Sequence, residues 1–78
     1  MKFKELEAVV LITDHPESGV RRGDLGTVVA VYEGGRGLEV EFFRATGDTK
    51  AVVTLASTEV RRAHRSEVIA VRGARRSA

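Results

Sequence analysis

Three glycines within four positions, at residues 34, 35 and 37, constrain the fold of this chain more than any other feature. The β-branched run at residues 27–31 comes before them, and after them Leu38, Val40 and Phe42 alternate with two glutamates. β-Branched residues suit a pleated surface, and strict alternation predicts a strand with one buried face. Glycine supplies the backbone conformations that a tight connection needs. Residues 24–43 therefore predict a β-hairpin.

The segments on either side of this hairpin also favour strands. Uninterrupted valine, leucine and isoleucine at residues 9–12 predict a first strand over residues 7–13, followed by a loop over residues 14–23 that contains a proline and a glycine. A second tight turn at residues 45–48 leads into a fourth strand over residues 50–56.

The next residues complete the predicted sheet. Residues 57–59 suit a single 3₁₀ turn, and residues 60–63 are expected to return as a short fifth strand beside the first. Short strands, tight turns and one long early loop predict an all-β fold, a small five-stranded SH3-like, partly open barrel.

The sequence after the fifth strand supports two interpretations. Val60, His64, Val68 and Val71 recur at helical spacing, with Gly73 as a possible C-cap. The apolar stretch 68–71 is equally typical of a strand, and we prefer the strand. If five strands already complete the barrel, this stretch must cover its own barrel or another chain.

Size and composition limit the class of protein. The 78 residues are 42% apolar and 31% charged, which is typical of one globular domain, here placed at residues 1–72 with a flexible basic tail at 73–78. The longest apolar run is five residues, too short for a membrane span or a signal peptide. We therefore expect a cytoplasmic protein without a membrane partner.

Charge is unevenly distributed along the chain. Residues 1–57 carry seven basic and nine acidic side chains, whereas residues 58–78 carry six arginines and two glutamates. A basic end of this kind is compatible with a nucleic acid or an acidic protein as partner. A solvated surface with a frayed tail is the explanation that we prefer.

Catalytic chemistry has little support in the sequence. The chain lacks cysteine, and His15 and His64 have no other metal-ligating residue at a suitable spacing. Its serines lie in no nucleophile motif, and no helix follows the glycine cluster to form a phosphate site. We expect no enzyme activity, no cofactor, no metal and no small-molecule substrate.

Exposed apolar and basic side chains are the remaining candidates for a functional role. Glu39 and Glu41 are interpreted as solubilising charges, while an aromatic ring outside the alternating core set would suit a partner contact. Phe43 is either such a ring or is turned inward by a bulge. The predicted partner-binding residues are Tyr32, Phe43, Arg61, Arg62, Val68, Ile69 and Val71.

Several stretches resemble known families. Residues 20–31 are similar to the strand-opening pattern of KOW and other SH3-like barrels. A closer resemblance, over residues 3–72, is to a family of short bacterial proteins described as a domain of unknown function. It is carried by residues 9–11, 23–29, 39–42 and 51–55, together with Asp14, Pro16, Glu17 and Gly19. This resemblance implies a compact barrel and brings no catalytic residues. Some members lie beside toxin-like or nuclease-like proteins, which implies an antitoxin or immunity role.

The leading functional prediction is a non-enzymatic protein-interaction module that binds a protein encoded nearby. The alternative is a KOW-like nucleic-acid-binding module that uses the basic C-terminal end, although base stacking needs exposed rings and the chain has four aromatic residues. A homo-oligomer with exchanged tail strands is the third possibility.

Overall fold

The computed structural model describes residues 2–44 and 46–69, which form one antiparallel sheet of five strands. The strands are β1 (Ala8–Leu11), β2 (Leu25–Tyr32), β3 (Gly37–Phe43), β4 (Thr49–Ala56) and β5 (Val60–Arg62). Their order across the sheet is β4-β3-β2-β1-β5. The predicted all-β, five-stranded fold is confirmed, and the described sheet is not closed. The predicted boundary at residue 72 and the tail at 73–78 lie outside the described residues.

The central hairpin is confirmed, and glycine determines its connection. A short 3₁₀ segment, Glu33–Gly35, joins β2 to β3. Gly34 and Gly35 have φ angles of 67° and 100°, in the left-handed region where a Cβ is disfavoured. Tyr32 then pairs with Gly37, and the two strands continue antiparallel.

The core lies on one side of the sheet and draws on every strand. Its members are Phe3, Val9, Leu11, Val20, Val28, Leu38, Val40, Phe42, Val53, Leu55 and Val60. Because residues from both edge strands, β4 and β5, belong to the same cluster, the sheet must curve around its own apolar face. This curvature gives a 78-residue chain a shared interior without a second layer of structure.

A β-bulge in β2 adjusts which residues face the core. The pairing with β3 shifts between Val28 and Ala30, so Val29 is an extra residue without a direct partner. Val28 and Val31, three positions apart, consequently both contact the core, although simple alternation would place them on opposite faces.

Glu59 connects the loop between β1 and β2 to the turn before β5 through hydrogen bonds. It lies in the 3₁₀ turn Ser57–Glu59, which was predicted from the sequence. One carboxylate oxygen accepts hydrogen bonds from Thr13 and from Nε2 of His15, at 3.3 and 2.5 Å, and the other accepts the amide N–H of Ala56 at 2.9 Å. The same loop inserts Val20 into the core.

The preference for a strand after β5 is wrong for Val68 and Ile69, because residues 65–69 are helical. The carboxylate of Glu67 accepts the amide N–H of His64 at 2.6 Å, which caps the first turn. The amide N–H groups of Glu67 and Val68 both donate to the carbonyl of His64. Residues 70 and 71 lie outside the described residues.

No helix within residues 2–44 and 46–69 has the length and apolarity to cross a bilayer.

Candidate functional site

The face of β2, β3 and β4 that points away from the core is a regular grid of side chains. Direct partners in antiparallel strands share a face, so the register defines three rows. These rows are Tyr32–Gly37–Ala56, Ala30–Glu39–Thr54 and Thr27–Glu41–Val52. We call these nine residues the outer grid.

Two large side chains are exposed at opposite ends of the outer grid. Tyr32 is 45% exposed in the first row and Val52 is 52% exposed in the third. Glu39 and Glu41 lie between them on β3. The surface therefore combines an aromatic ring, an aliphatic side chain and two carboxylates.

Hydroxyl groups hold both carboxylates in place. The Tyr32 hydroxyl donates to Oε1 of Glu39 at 2.7 Å, and the Thr49 hydroxyl donates to Oε2 of Glu41 at 2.6 Å. The hydrogen bond to Glu39 also raises the pKa of the Tyr32 phenol above its ordinary value. The Tyr32 ring and the two carboxylates are thus oriented before any partner arrives.

Phe43 lies apart from the outer grid, at the far end of β3. The pairing with β4 shifts between Phe42, which faces Ala51, and Phe43, which faces Thr49. Phe43 is half-buried and does not join the core cluster. Six residues of strand, roughly 20 Å, separate Phe43 from Gly37, the partner of Tyr32.

Arg61, Val68 and Ile69 form a second group near β5 and the short helix. Arg61 donates to both carboxylate oxygens of Glu67, at 3.0 and 2.9 Å, which is a bidentate ion pair. This pair lowers the pKa of Glu67 to about 2. Ile69 is 55% exposed, Val68 is partly buried, and the predicted Val71 lies outside the described residues.

Arg62 faces the opposite way from Arg61 and contacts the N-terminal segment, including the core residue Phe3. Its guanidinium forms an ion pair with Glu7 and donates to the backbone carbonyl of Lys2 at 2.6 Å. The same group lies 5.2 Å from the centre of the Phe3 ring, which is a cation–π contact. Arg61 and Arg62 are therefore both neutralised by carboxylates of their own chain, and the nucleic-acid alternative stays a prediction.

The predicted partner-binding residues do not form one surface. Arg61 lies opposite Val10, and Val10 lies opposite Leu25, at the start of β2. Tyr32 is at the other end of that strand, seven residues or roughly 20 Å away along the backbone. Tyr32 belongs to the outer grid, whereas the predicted residues of β5 and the helix lie beyond β1.

Two other exposed apolar residues, Leu6 and Val52, were not among the predicted partner-binding residues. Val52 is exposed because it alternates with the core residue Val53 along β4 and therefore lies opposite Glu41 on the face away from the core. Leu6 is 83% exposed and has a φ of 72°, which is unusual for a residue with a branched side chain. Its amide N–H donates to the carbonyl of Val28 at 2.7 Å, which fixes this conformation.

Within the described residues, each titratable group whose pKa is shifted forms a hydrogen bond with another side chain of the chain. His15 and Glu59 form a short hydrogen bond that raises the pKa of His15 and lowers that of Glu59. The adjacent surface depression includes Asp14, which accepts the backbone N–H of Arg22 at 2.8 Å. Among residues 2–44 and 46–69, no three His, Asp or Glu side chains are grouped as metal ligands would be. The absence of enzyme activity stays a prediction.

Comparison with protein families provides a match that covers all five strands of the sheet. Residues 5–62 match the family model named Domain of unknown function (DUF4926). The chain belongs to the DUF4926 family. The matched DUF4926 region extends from just before β1 to the end of β5 and includes the whole outer grid. The chain matches no curated protein and no solved structure. The relation of this DUF4926 sheet to SH3-like barrels therefore stays a prediction.

Proposed function

We propose that this DUF4926 protein is a non-enzymatic protein-interaction module, an antitoxin or immunity-type partner of a protein encoded by a neighbouring gene. The outer grid is the proposed binding face. One observation carries the proposal: Tyr32 and Val52 are half exposed on a single sheet face, with two oriented carboxylates between them.

The physics of protein interfaces supports this choice of surface. Tyrosine is enriched among the residues that dominate binding energy, because its ring buries a large area while its hydroxyl keeps a polar partner. Association is weakened by the entropy lost when side chains become ordered. The hydrogen bond from Tyr32 to Glu39 reduces that loss, because the ring and the carboxylate are already restrained.

The charge of the outer grid indicates the chemistry of the partner. Glu39 and Glu41 are its two charged members, and both are negative. The nearest lysine on β4, Lys50, directs its ammonium to Asp24 at 2.9 Å. A basic protein surface would complement this grid and would associate faster at low ionic strength.

Coexpression with the protein encoded by the adjacent gene tests the proposal. We expect a complex that survives purification and, if the partner inhibits growth, restored growth when both proteins are present. Replacing Tyr32 by alanine should weaken binding by about thirtyfold, the effect of a 2 kcal/mol contact. Calorimetry would measure this difference.

A charge-matched pair of variants separates a specific site from general attraction. E39Q/E41Q and E5Q/E17Q each remove two negative charges, but only the first pair lies in the outer grid. We expect the association rate to fall for E39Q/E41Q and to remain near the native value for E5Q/E17Q. Absence of a complex, or equal effects of the two pairs, would refute the proposed function.

A further inference from the structure

The free edge of β4 is the longest unpaired strand edge of the described sheet. β4 has eight residues and pairs with β3 on one side, and within residues 2–44 and 46–69 no strand pairs with its other side. The opposite edge strand, β5, has three residues. A strand edge carries unpaired N–H and C=O groups that another strand can bind.

Beyond its first two residues, β4 lacks the usual features that block pairing at an edge. It contains no proline, and its single charged residue is Lys50, whose ammonium is committed to Asp24. The irregular pairing with β3 is confined to the end of β4 near Lys50. From Ala51 to Ala56, six consecutive residues pair regularly with β3, so no bulge interrupts this part of the edge.

We propose that two copies of this chain associate through antiparallel pairing of their β4 strands, with the two-fold axis at Val53. Direct neighbours in such a pair must lie on the same face of the sheet. The axis at Val53 satisfies this condition, because it places Val52 opposite Thr54 of the second copy on the outer face. On the core side it places Ala51 opposite Leu55.

A second copy suits this edge because identical strands in antiparallel pairing form a closed, self-complementary contact. Val52, half exposed in the single chain, gains a neighbour from the other copy. The two Lys50 residues lie at opposite ends of the contact, roughly 20 Å apart. This separation exceeds the Debye length in physiological salt, about 8 Å, so their mutual repulsion is largely screened. The product is a continuous ten-stranded sheet that carries two outer grids.

The concentration dependence of the mass in solution tests the association. We expect sedimentation experiments on the full chain, from about 1 µM to about 1 mM, to show 8.5 kDa monomers converting to dimers. A chain that remains monomeric across this range would overturn the proposal. This measurement uses the chain alone, so its outcome does not depend on the proposed partner protein.

Two double variants test the register as well as the contact. In V52K/T54K, each introduced lysine lies beside a glutamate of its own β3, because residue 52 pairs with Glu41 and residue 54 with Glu39. The monomer should therefore remain folded, whereas the dimer would place lysine directly opposite lysine at two positions. We expect this variant to be monomeric.

V52K/T54E is the matched control, because the dimer would then place lysine opposite glutamate at both positions. Its dimer dissociation constant should be at least about fourfold lower than that of V52K/T54K, given the strength of cross-strand charge pairs. Circular dichroism would verify that both variants are folded. Equal dissociation constants would overturn the proposed pairing of residues 52 and 54.

Discussion

Replacing Gly26 by alanine is expected to destabilise the protein, because the new methyl group has no space. Gly26 lies in the middle of the sheet, paired with Val9 on one side and Phe42 on the other. A Cβ at this position would approach Cγ1 of Val40 to 2.6 Å, the carbonyl oxygen of Glu41 to 2.9 Å and Cδ1 of Phe42 to 3.0 Å.

The size of the destabilisation caused by Gly26→Ala follows from which atoms must move. Val40 and Phe42 are fully buried, and the third contact is backbone, so the strands β2 and β3 must separate locally. Overpacking of this kind costs about 1–3 kcal/mol, while replacing glycine in the unfolded chain recovers about 0.4–1 kcal/mol. We expect a net loss of about 1–2 kcal/mol in the free energy of unfolding, or a fall of about 5–15 °C in Tm.

Gly37 provides the matched control, since it is also a strand glycine without a positive φ. A Cβ there would lie 3.3 Å from Oε2 of Glu33, the end of a flexible side chain, and 3.5 Å from Cβ of Tyr32. Gly37→Ala should therefore leave stability unchanged or raise it by up to about 1 kcal/mol. Urea denaturation with an unchanged m value measures both variants. A Gly26→Ala protein as stable as Gly37→Ala would refute the packing argument.

The remaining predictions concern the ion pairs. Because the hydrogen bond to Glu59 raises the folded-state pKa of His15, this contact should stabilise the fold fully below about pH 6.5 and should lose its effect as the pH rises through the raised value. Urea midpoints between about pH 5.5 and 8.5 should decline more in the native chain than in His15→Gln, and equal slopes would contradict the coupling. Carbon-13 NMR should show the Glu67 carboxyl titrating near pH 2, and Arg61→Met should move that pKa towards 4.5. An unmoved titration would show that Arg61 is not its cause.

Local sequence patterns were sufficient to predict where the strands of this protein lie. The alternation of Leu38, Val40 and Phe42 identified the buried face of β3, and all three are fully buried. The glycines at 34 and 35 located the connection between β2 and β3. Both features depend on neighbouring residues alone, through side-chain periodicity and backbone sterics, so they can be recognised before any tertiary contact is known.

The helix at residues 65–69 shows where such local patterns are insufficient. Residues 68 and 69 suit a strand as well as a helix, and Glu67 stabilises the helix by binding Arg61 and by capping the turn at His64. Apolar spacing carries no information about an ion pair of this kind.

The sequence by itself thus determined which segments are strands and where the central turn lies. Only the tertiary structure decided that Tyr32 and Val52 share an outward face and that β4 is left at the edge. The physical reason is that strand order and register arise from contacts between residues distant in the chain. A one-residue bulge, as at Val29, is enough to change which side chains meet.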